Sequence, residues 1–517
     1  MQDIASTIFV GLLVWIVLRV LWGGSNNPRP NPFSWRDSDE EKTPQNADDN
    51  VMAENTEDTE NVTPTSGSLG EFNKRIQPKE PPKTTPKEEF PTDFADDPAA
   101  QEALAAIDSG ENCIFLLGRA GTGKTTLARY IVQSRADTKQ VVLAPTGIAA
   151  INVRGQTIHS FFRLPPRLLD RDNLEPSRPN RLWRHIERII IDEISMVRAD
   201  IMDAMDVVLR RTRKNNKPFG GVQMVFVGDF LQLPPVVPSQ EEEMLLQLGY
   251  HSPYCFSAKS LAEVMPKFVR LNTVHRQADS FFIELLGQLR EAKDVDGAVA
   301  QLNEYCAKPH REGVEPMLLT GTDNRANHYN QQGLEEIKDE PEEYVARTTG
   351  KFDQGSDRLP APETLVLKPG ARVMALKNDP KSRWVNGSLG TITELEKGRA
   401  WMRLDSDESV VDVERLTWEK VRYKWDDANK KVLTEIIGSF NQMPLNLAWA
   451  ATIHKAQGLT LDDVRIDLEG GAFTSGQAYV AMSRARSLAG LSLSRPLRPT
   501  DVFIDPLLAE FDRWAQA

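Results

Sequence analysis

The octapeptide Gly118-Arg119-Ala120-Gly121-Thr122-Gly123-Lys124-Thr125 limits what this chain can fold into more than any other feature. It fits the pattern G-x-x-x-x-G-K-[ST] and follows an apolar run over 113–117. The run predicts a short buried strand, and the apolar spacing in Thr125-Thr126-Leu127-Ala128-Arg129-Tyr130-Ile131-Val132 predicts the helix after it. In such a strand-loop-helix unit, glycines let backbone N–H groups close around phosphate oxygens at the helix N-terminus. Lys124 then reaches the outer phosphates, and the Thr125 hydroxyl is placed to hold a magnesium ion. Gly118, Ala120, Gly121, Thr122, Gly123, Lys124, Thr125 and Thr126 are therefore the expected nucleotide contacts. The pattern requires a parallel α/β sheet behind it and a nucleoside triphosphate in front.

At 517 residues the chain holds about three domains' worth of core, more than one sheet can cover. The formal net charge is −12, but the excess is local: residues 1–97 carry 9 Lys/Arg against 18 Asp/Glu, leaving 53 basic and 56 acidic residues for 98–517. A near-neutral body accommodates a basic groove, so the overall acidity does not exclude a nucleic-acid partner. Cys113, Cys255 and Cys306 are odd in number and lack C-x-x-C spacing, which argues against a disulfide framework or zinc site and fits a reducing compartment. The seven histidines form no pair at metal-ligand spacing.

Residues 4–22 are almost wholly apolar, with Arg19 the single charge, a length that just spans a bilayer. A secretory signal would carry Lys or Arg ahead of the run, whereas Asp3 is the only charge there. Basic residues come at Arg19, Arg29, Arg36 and Lys42, so the expectation is a transmembrane helix within 1–24 and an intracellular body on the cytoplasmic side. A helix docked on a partner or on the body itself is the alternative. Residues 25–97, rich in Pro, Asn, Thr, Asp and Glu, read as a disordered acidic linker. From 98 onward strands alternate with helices, with candidate strands at 114–117, 141–144, 189–192, 224–228 and 269–271. These make 98–271 a first α/β domain. A second α/β pattern begins near Pro316 and resumes near Asn446, which assigns 272–365 and 430–517 to a second domain. The β-rich stretch between its halves, 366–429, with Asn386-Gly387 as a hairpin turn, reads as an insertion.

After Ile189-Ile190-Ile191 come Asp192 and Glu193. A carboxylate at the end of a buried strand facing a phosphate loop is where a nucleotide's magnesium is held, so Asp192 is the expected metal partner beside Thr125. Glu193 is then expected to orient or deprotonate the attacking water. In Gly228-Asp229-Phe230-Leu231-Gln232-Leu233-Pro234-Pro235-Val236, Gln232 offers an amide to a phosphate or to that water.

With these motifs in this order, the chain resembles the superfamily-one DNA helicases of the PIF (petite integration frequency) type. Leu143-Ala144-Pro145-Thr146-Gly147-Ile148-Ala149-Ala150 and Gly155-Gln156-Thr157-Ile158-His159-Ser160-Phe161-Phe162 match the elements after the phosphate loop. Pro218-Phe219-Gly220-Gly221-Val222-Gln223 resembles the family signature ahead of Gly228-Asp229-Phe230. Thr452-Ile453-His454-Lys455-Ala456-Gln457-Gly458-Leu459-Thr460 and Tyr479-Val480-Ala481-Met482-Ser483-Arg484-Ala485-Arg486 match the closing motifs.

The resemblance implies two RecA-like parallel-sheet domains with ATP between them and an SH3-like β insertion in the second. Arg276 and Arg484 take the places of the arginine fingers, Gln101 that of the adenine-reading glutamine, and Gly458 that of a further nucleotide contact. Thr146, His159 and Phe161 from the first domain, and Thr452, His454 and Lys455 from the second, fall where the family faces single-stranded DNA. The tryptophans of the insertion, Trp384, Trp418 and Trp425, are expected to fill its core. The implied activity is ATP- and magnesium-dependent unwinding of duplex DNA by a monomeric motor moving 5′ to 3′, in repair, replication or recombination. A RecD-like or conjugative helicase competes, but its third motif usually lacks the second proline of Pro234-Pro235. The apolar N-terminus keeps a nucleotide-gated membrane scaffold as a reading from another class.

Overall fold

The computed structural model describes residues 97–174, 180–277, 279–307, 315–352 and 359–515. The expected membrane helix and all but the last residue of the expected linker lie outside the described residues. Among the described residues no helix is long and apolar enough to cross a membrane.

The first domain is built on six parallel strands: β1 (Cys113–Gly118), β2 (Gln140–Ala144), β3 (Gln156–Thr157), β4 (Arg188–Ile191), β5 (Gln223–Gly228) and β6 (Lys267–Leu271). Their order is β3-β2-β4-β5-β1-β6. A parallel sheet covered on both faces needs apolar residues on both sides of each strand, and β1 and β4 are buried throughout. Phe115, Leu143, Ile189, Ile191 and Phe226 face Phe162, Trp183 and Met202 on one side. Ile114, Leu116, Val142, Ile190 and Val225 face Leu127 and Ile131 of helix α1 (Lys124–Ser134) on the other. The phosphate loop follows β1, Asp192 follows β4 and Asp229 follows β5, so three carboxyl ends of one sheet converge on one site.

The second domain has four parallel strands in the order Ala450–Thr452, Met317–Thr320, Val464–Asp467, Leu491–Leu493. Helices α2 (Ser280–Glu291) and α3 (Gln477–Met482) contribute Phe282, Leu285, Leu286, Leu289, Ala478 and Val480 to its core, which also takes in Ala120 and Leu233 of the first domain. The two parallel sheets are the RecA-like α/β architecture.

Between Glu342 and Leu447 every described strand pairing is antiparallel. The β material thus runs past the expected limits of 366–429 on both sides. Lys431–Gln442, assigned from the sequence to the second domain, is the return strand of a long hairpin with Leu416–Asp426. Its sequence lacks the apolar alternation that marks a half-buried strand, because Lys431–Ile436 is largely exposed and two of the three buried positions of the second half are Gly438 and Gln442, with Phe440 between them. Asn386-Gly387 is not a two-residue turn. It sits late in the connection 376–388 between Arg372–Ala375 and Leu389–Glu396, where Gly387, at φ +93°, donates its N–H to the Ala375 carbonyl at 2.8 Å.

Two pieces of the chain cross to the first domain. Trp384 is buried in the core of the insertion, but Trp425, at the end of the hairpin, joins the first domain's core and stacks on His185 at 4.2 Å. The final helix α4 (Leu507–Trp514) places Leu508 and Phe511 in the same core, with Phe511 4.4 Å from Phe230 between ring centres.

Candidate active site between the two parallel sheets

Gly121 and Gly123 of the loop after β1 have φ of +79° and +77°, a region that side chains strain to enter. A Cβ on Gly121 would also stand 2.5 Å from Arg276 Cβ, so the loop and the interdomain segment require this glycine twice over. Lys124 at the start of α1 donates from Nζ to the carbonyls of Gly118 and Arg119, each at 2.8 Å, inside the curl of the loop. Burial lowers its pKa, against the pull of Asp229, Glu193 and Asp192.

Thr125 Oγ1 donates to Asp192 Oδ2 at 2.9 Å, joining the two side chains expected at the metal across 67 residues. A hydroxyl and a buried carboxylate are hard oxygen donors suited to magnesium. Among the described residues no three His, Cys, Asp or Glu side chains gather as a metal cage, so the ion's other ligands would be phosphate and water. A magnesium held there would neutralise phosphate charge.

Glu193, at φ +52°, turns its carboxylate into the interface. Burial, followed by the neighbouring Asp192, raises its pKa to about 7. Gln457 of the second domain donates from Nε2 to Glu193 Oε2 at 3.2 Å and to Gln232 Oε1 at 3.4 Å. Gln232 donates to Asp229 Oδ2 at 3.3 Å, and Asp229 is paired with Arg290 of α2. Tyr479 of α3 accepts the Ala120 N–H of the phosphate loop on its hydroxyl at 3.0 Å, a contact 359 residues apart in sequence. Among the expected glycines, Gly118 takes the Lys124 ammonium, and Gly458, at φ +88°, accepts from Arg276 Nη2 at 3.2 Å.

Both expected fingers sit in this network. Arg484, just after α3, is 1% exposed, with Nε on the Val480 carbonyl at 2.9 Å and Nη2 on Ser483 Oγ at 2.7 Å. Burial and the nearby Arg276 bring its pKa down to about 9, which leaves it charged at neutral pH. Arg276 donates to the Ser483 carbonyl at 3.3 Å, and the His275 N–H donates to the Gly121 carbonyl at 2.8 Å. The segment between the domains is thereby fastened to the phosphate loop and to the arginine-bearing turn together. Thr122 is buried, Thr126 is half-buried on the first turn of α1, and Gln101 is exposed on the first turn of the helix Pro98–Asp108.

The residues expected along DNA divide into two groups. Thr146 is exposed beyond β2 and caps the helix Gly147–Asn152 by accepting the Ala149 N–H at 3.2 Å. His159 and His454 are half-buried, and Lys455 is exposed and paired with Asp323 at 2.9 Å. Phe161 and Thr452 are buried. Phe161 is 3% exposed, packed 4.8 Å from Phe162 and 6.2 Å from Tyr423 of the hairpin, because its helix turns it into the core. Thr452 is 3% exposed, and its hydroxyl accepts the Lys455 N–H at 3.3 Å.

Gln457, Tyr479 and Asp229 lie inside motifs quoted from the sequence without having been given roles. Arg290 lies in none, and the only hint in the sequence is a charge placed directly after the apolar face of α2.

The family model described as PIF1-like helicase matches residues 99–296. ATP-dependent DNA helicase PIF1 of Rattus norvegicus is 36% identical over 77% of this chain, and the chain spans 61% of that protein's length. ATP-dependent DNA helicase Pif1 of Bdellovibrio bacteriovorus is 33% identical over 80% of this chain and 91% of its own. The structure of a Bacteroides sp Pif1 in complex with ADP-AlF4 superposes with a TM-score of 0.74 at 34% identity, covering 81% of this chain and 96% of that one. The same comparison with Bacteroides Pif1 bound to ssDNA gives 0.58. Conserved architecture at this identity, over nearly the whole of the bacterial relatives, places the chain in the family of PIF1-like helicases.

Proposed function

We propose that the chain is an ATP- and magnesium-dependent DNA helicase that moves 5′ to 3′ on single-stranded DNA and unwinds duplex as a monomer. One observation carries the catalytic part: the groups that suit hydrolysis are shared between two domains. Lys124, Thr125, Asp192, Glu193 and Gln232 come from the first, while Gln457, Tyr479 and Arg484 come from the second. Hydrolysis then depends on closure. Glu193 takes a proton from the attacking water, Lys124 holds the outer phosphates, and Arg276 and Arg484 meet the charge that spreads over the transferring group. Gln101 reads the adenine. Loss of one finger in such chemistry costs on the order of 10³–10⁵ in turnover.

Thr146, His159, His454 and Lys455 belong to the carboxyl edges of the two sheets, where closure would shift one set of DNA contacts past the other. The names of the relatives and the ssDNA complex of the Bacteroides protein support DNA as the track. The antiparallel region 342–447 is assigned as an SH3-like module that grips DNA beside the motor. Strand displacement on duplexes with a 5′ or a 3′ tail tests the proposal; hydrolysis without displacement from either would refute it.

The apolar stretch 4–22 supports a membrane anchor. The roughly seventy residues after it reach on the order of 45 Å as a flexible coil, enough for the motor to work away from a bilayer. Full-length protein is expected in membranes and to resist extraction by high salt. Release by salt alone would contradict the anchor.

A further inference from the structure

Asp229 is 2% exposed and sits at the carboxyl end of β5, one step from the loop that carries Gln232. Arg290, 61 residues further on at the C-terminal turn of α2, grips it at two points, Nη2 to Oδ1 at 2.8 Å and Nε to Oδ2 at 3.3 Å. Such a two-point contact fixes the plane of the carboxylate as well as its charge. Burial by itself would raise the pKa of Asp229, but Arg290 and Lys124 hold it below the usual carboxylate range.

An ionised carboxylate only accepts hydrogen bonds. Oδ1 takes the Leu231 N–H at 3.2 Å and Oδ2 takes Gln232 Nε2 at 3.3 Å. The amide of Gln232 is therefore forced to turn its NH2 toward Asp229 and its carbonyl oxygen toward Gln457 Nε2, whose other partner is Glu193. A chain of contacts runs from Arg290 through Asp229, Gln232 and Gln457 to the carboxylate assigned to the attacking water.

Helix α2 does not need this pair in order to stay in place. Its apolar face, Phe282, Leu285, Leu286 and Leu289, is buried in the second domain's core beside α3, and Glu291 binds Arg119 at 3.1 Å. A buried ion pair is seldom the most stabilising filling for its volume, so stability alone does not account for this one.

We propose that Arg290 is a positioning residue for hydrolysis that acts through Asp229 to aim the amide of Gln232. The proposal rests on the helicase reading above and deepens it. Because α2 belongs to the core of the second domain, Arg290 also reports the position of that domain to a residue of the first.

The test uses the full chain as Arg290→Lys, Gln232→Ala and the two combined, with DNA-stimulated ATP turnover and nucleotide affinity measured for each. Arg290→Lys keeps the charge and loses the two-point grip. It is expected to lower kcat about tenfold, to change nucleotide Kd less than about twofold, and to lower kcat less than about twofold once Gln232 is already alanine. Arg290→Met combined with Asp229→Asn leaves no unpaired buried charge, and it is expected to show the same dependence on Gln232. Equal losses of kcat in both backgrounds, unchanged kcat for Arg290→Lys, or a parallel fall in nucleotide affinity overturns the proposal. Full turnover by Gln232→Ala alone would be a different failure, removing the role given to Gln232 and the proposal with it.

Discussion

At the scale of the residue, the site combines groups whose charge states depend on burial. Arg484 is almost wholly enclosed and serves a transition state in the proposed chemistry, so Arg484→Ala should bind nucleotide within a few-fold of wild type and hydrolyse it about 10³-fold more slowly or worse. Turnover and affinity lost together in a nucleotide titration would make Arg484 a ground-state or structural group. Glu193 gives a pH signature. Its pKa of about 7 lies above the ordinary carboxylate value, and a base works only when deprotonated. DNA-stimulated kcat should therefore rise with pH through about 7. The linkage has the opposite sign for the fold: a buried acid with a raised pKa favours the native state while protonated, so this group's stabilising contribution fades as pH rises from the carboxylate range through about 7. A kcat flat between pH 6 and 8 would deny Glu193 the role of base. That Thr125 and Asp192 would meet was legible in the sequence, because each lies in a short motif that states its own geometry. The contacts of Arg290 and Tyr479 were not, since Arg290 lies in no motif and the motif around Tyr479 does not state that it meets Ala120, 359 residues away. The burial of Phe161 and Thr452 was not legible either: a motif records residue type, whereas exposure is decided by what the rest of the chain lays over it.

At the scale of the element, α4 and the long hairpin show the chain crossing its own domain boundary. Helix α4 is continuous in sequence with the second domain, yet Phe511 is 4% exposed against Phe230, Phe256 and Phe268 of the first. Emptying that site removes a large ring from a packed core, so Phe511→Ala should destabilise the fold by about 3–5 kcal/mol in chemical denaturation. A cost below 1 kcal/mol would mean that α4 rests on the surface only. The six strands of the first sheet could be found from their apolar runs, because a parallel sheet buries both faces and its signal is strong. The strand Lys431–Gln442 was read as something else, since its first half is largely exposed and its buried positions include Gly438 and Gln442, so the sequence carries no apolar period. Its partner pinned the register instead, through pairs such as Trp418 with Phe440 and Trp425 with Val432.

At the scale of the whole molecule, two parallel sheets meet at a site to which each supplies polar and charged groups, and the antiparallel region and α4 bind the second half of the chain back onto the first. The order of motifs was sufficient to place the chain in its family. The extent of the antiparallel region was not, because 342–365 and 430–447 lack the apolar alternation that would separate them from the flanking α/β pattern. If the motor is complete without its tail, removal of residues 1–92 should leave unwinding undiminished, and a loss of rate in that variant would give the tail a part in the chemistry. The central claim is that ATP hydrolysis between the two sheets drives strand separation. Displacement of a labelled strand from a 5′-tailed duplex, by the wild-type chain and by Lys124→Ala, measures this most directly. The wild type should displace the strand with ATP and magnesium from the 5′-tailed duplex and not from a 3′-tailed one, while Lys124→Ala binds the tail and displaces nothing. Displacement by Lys124→Ala at the wild-type rate would contradict the account.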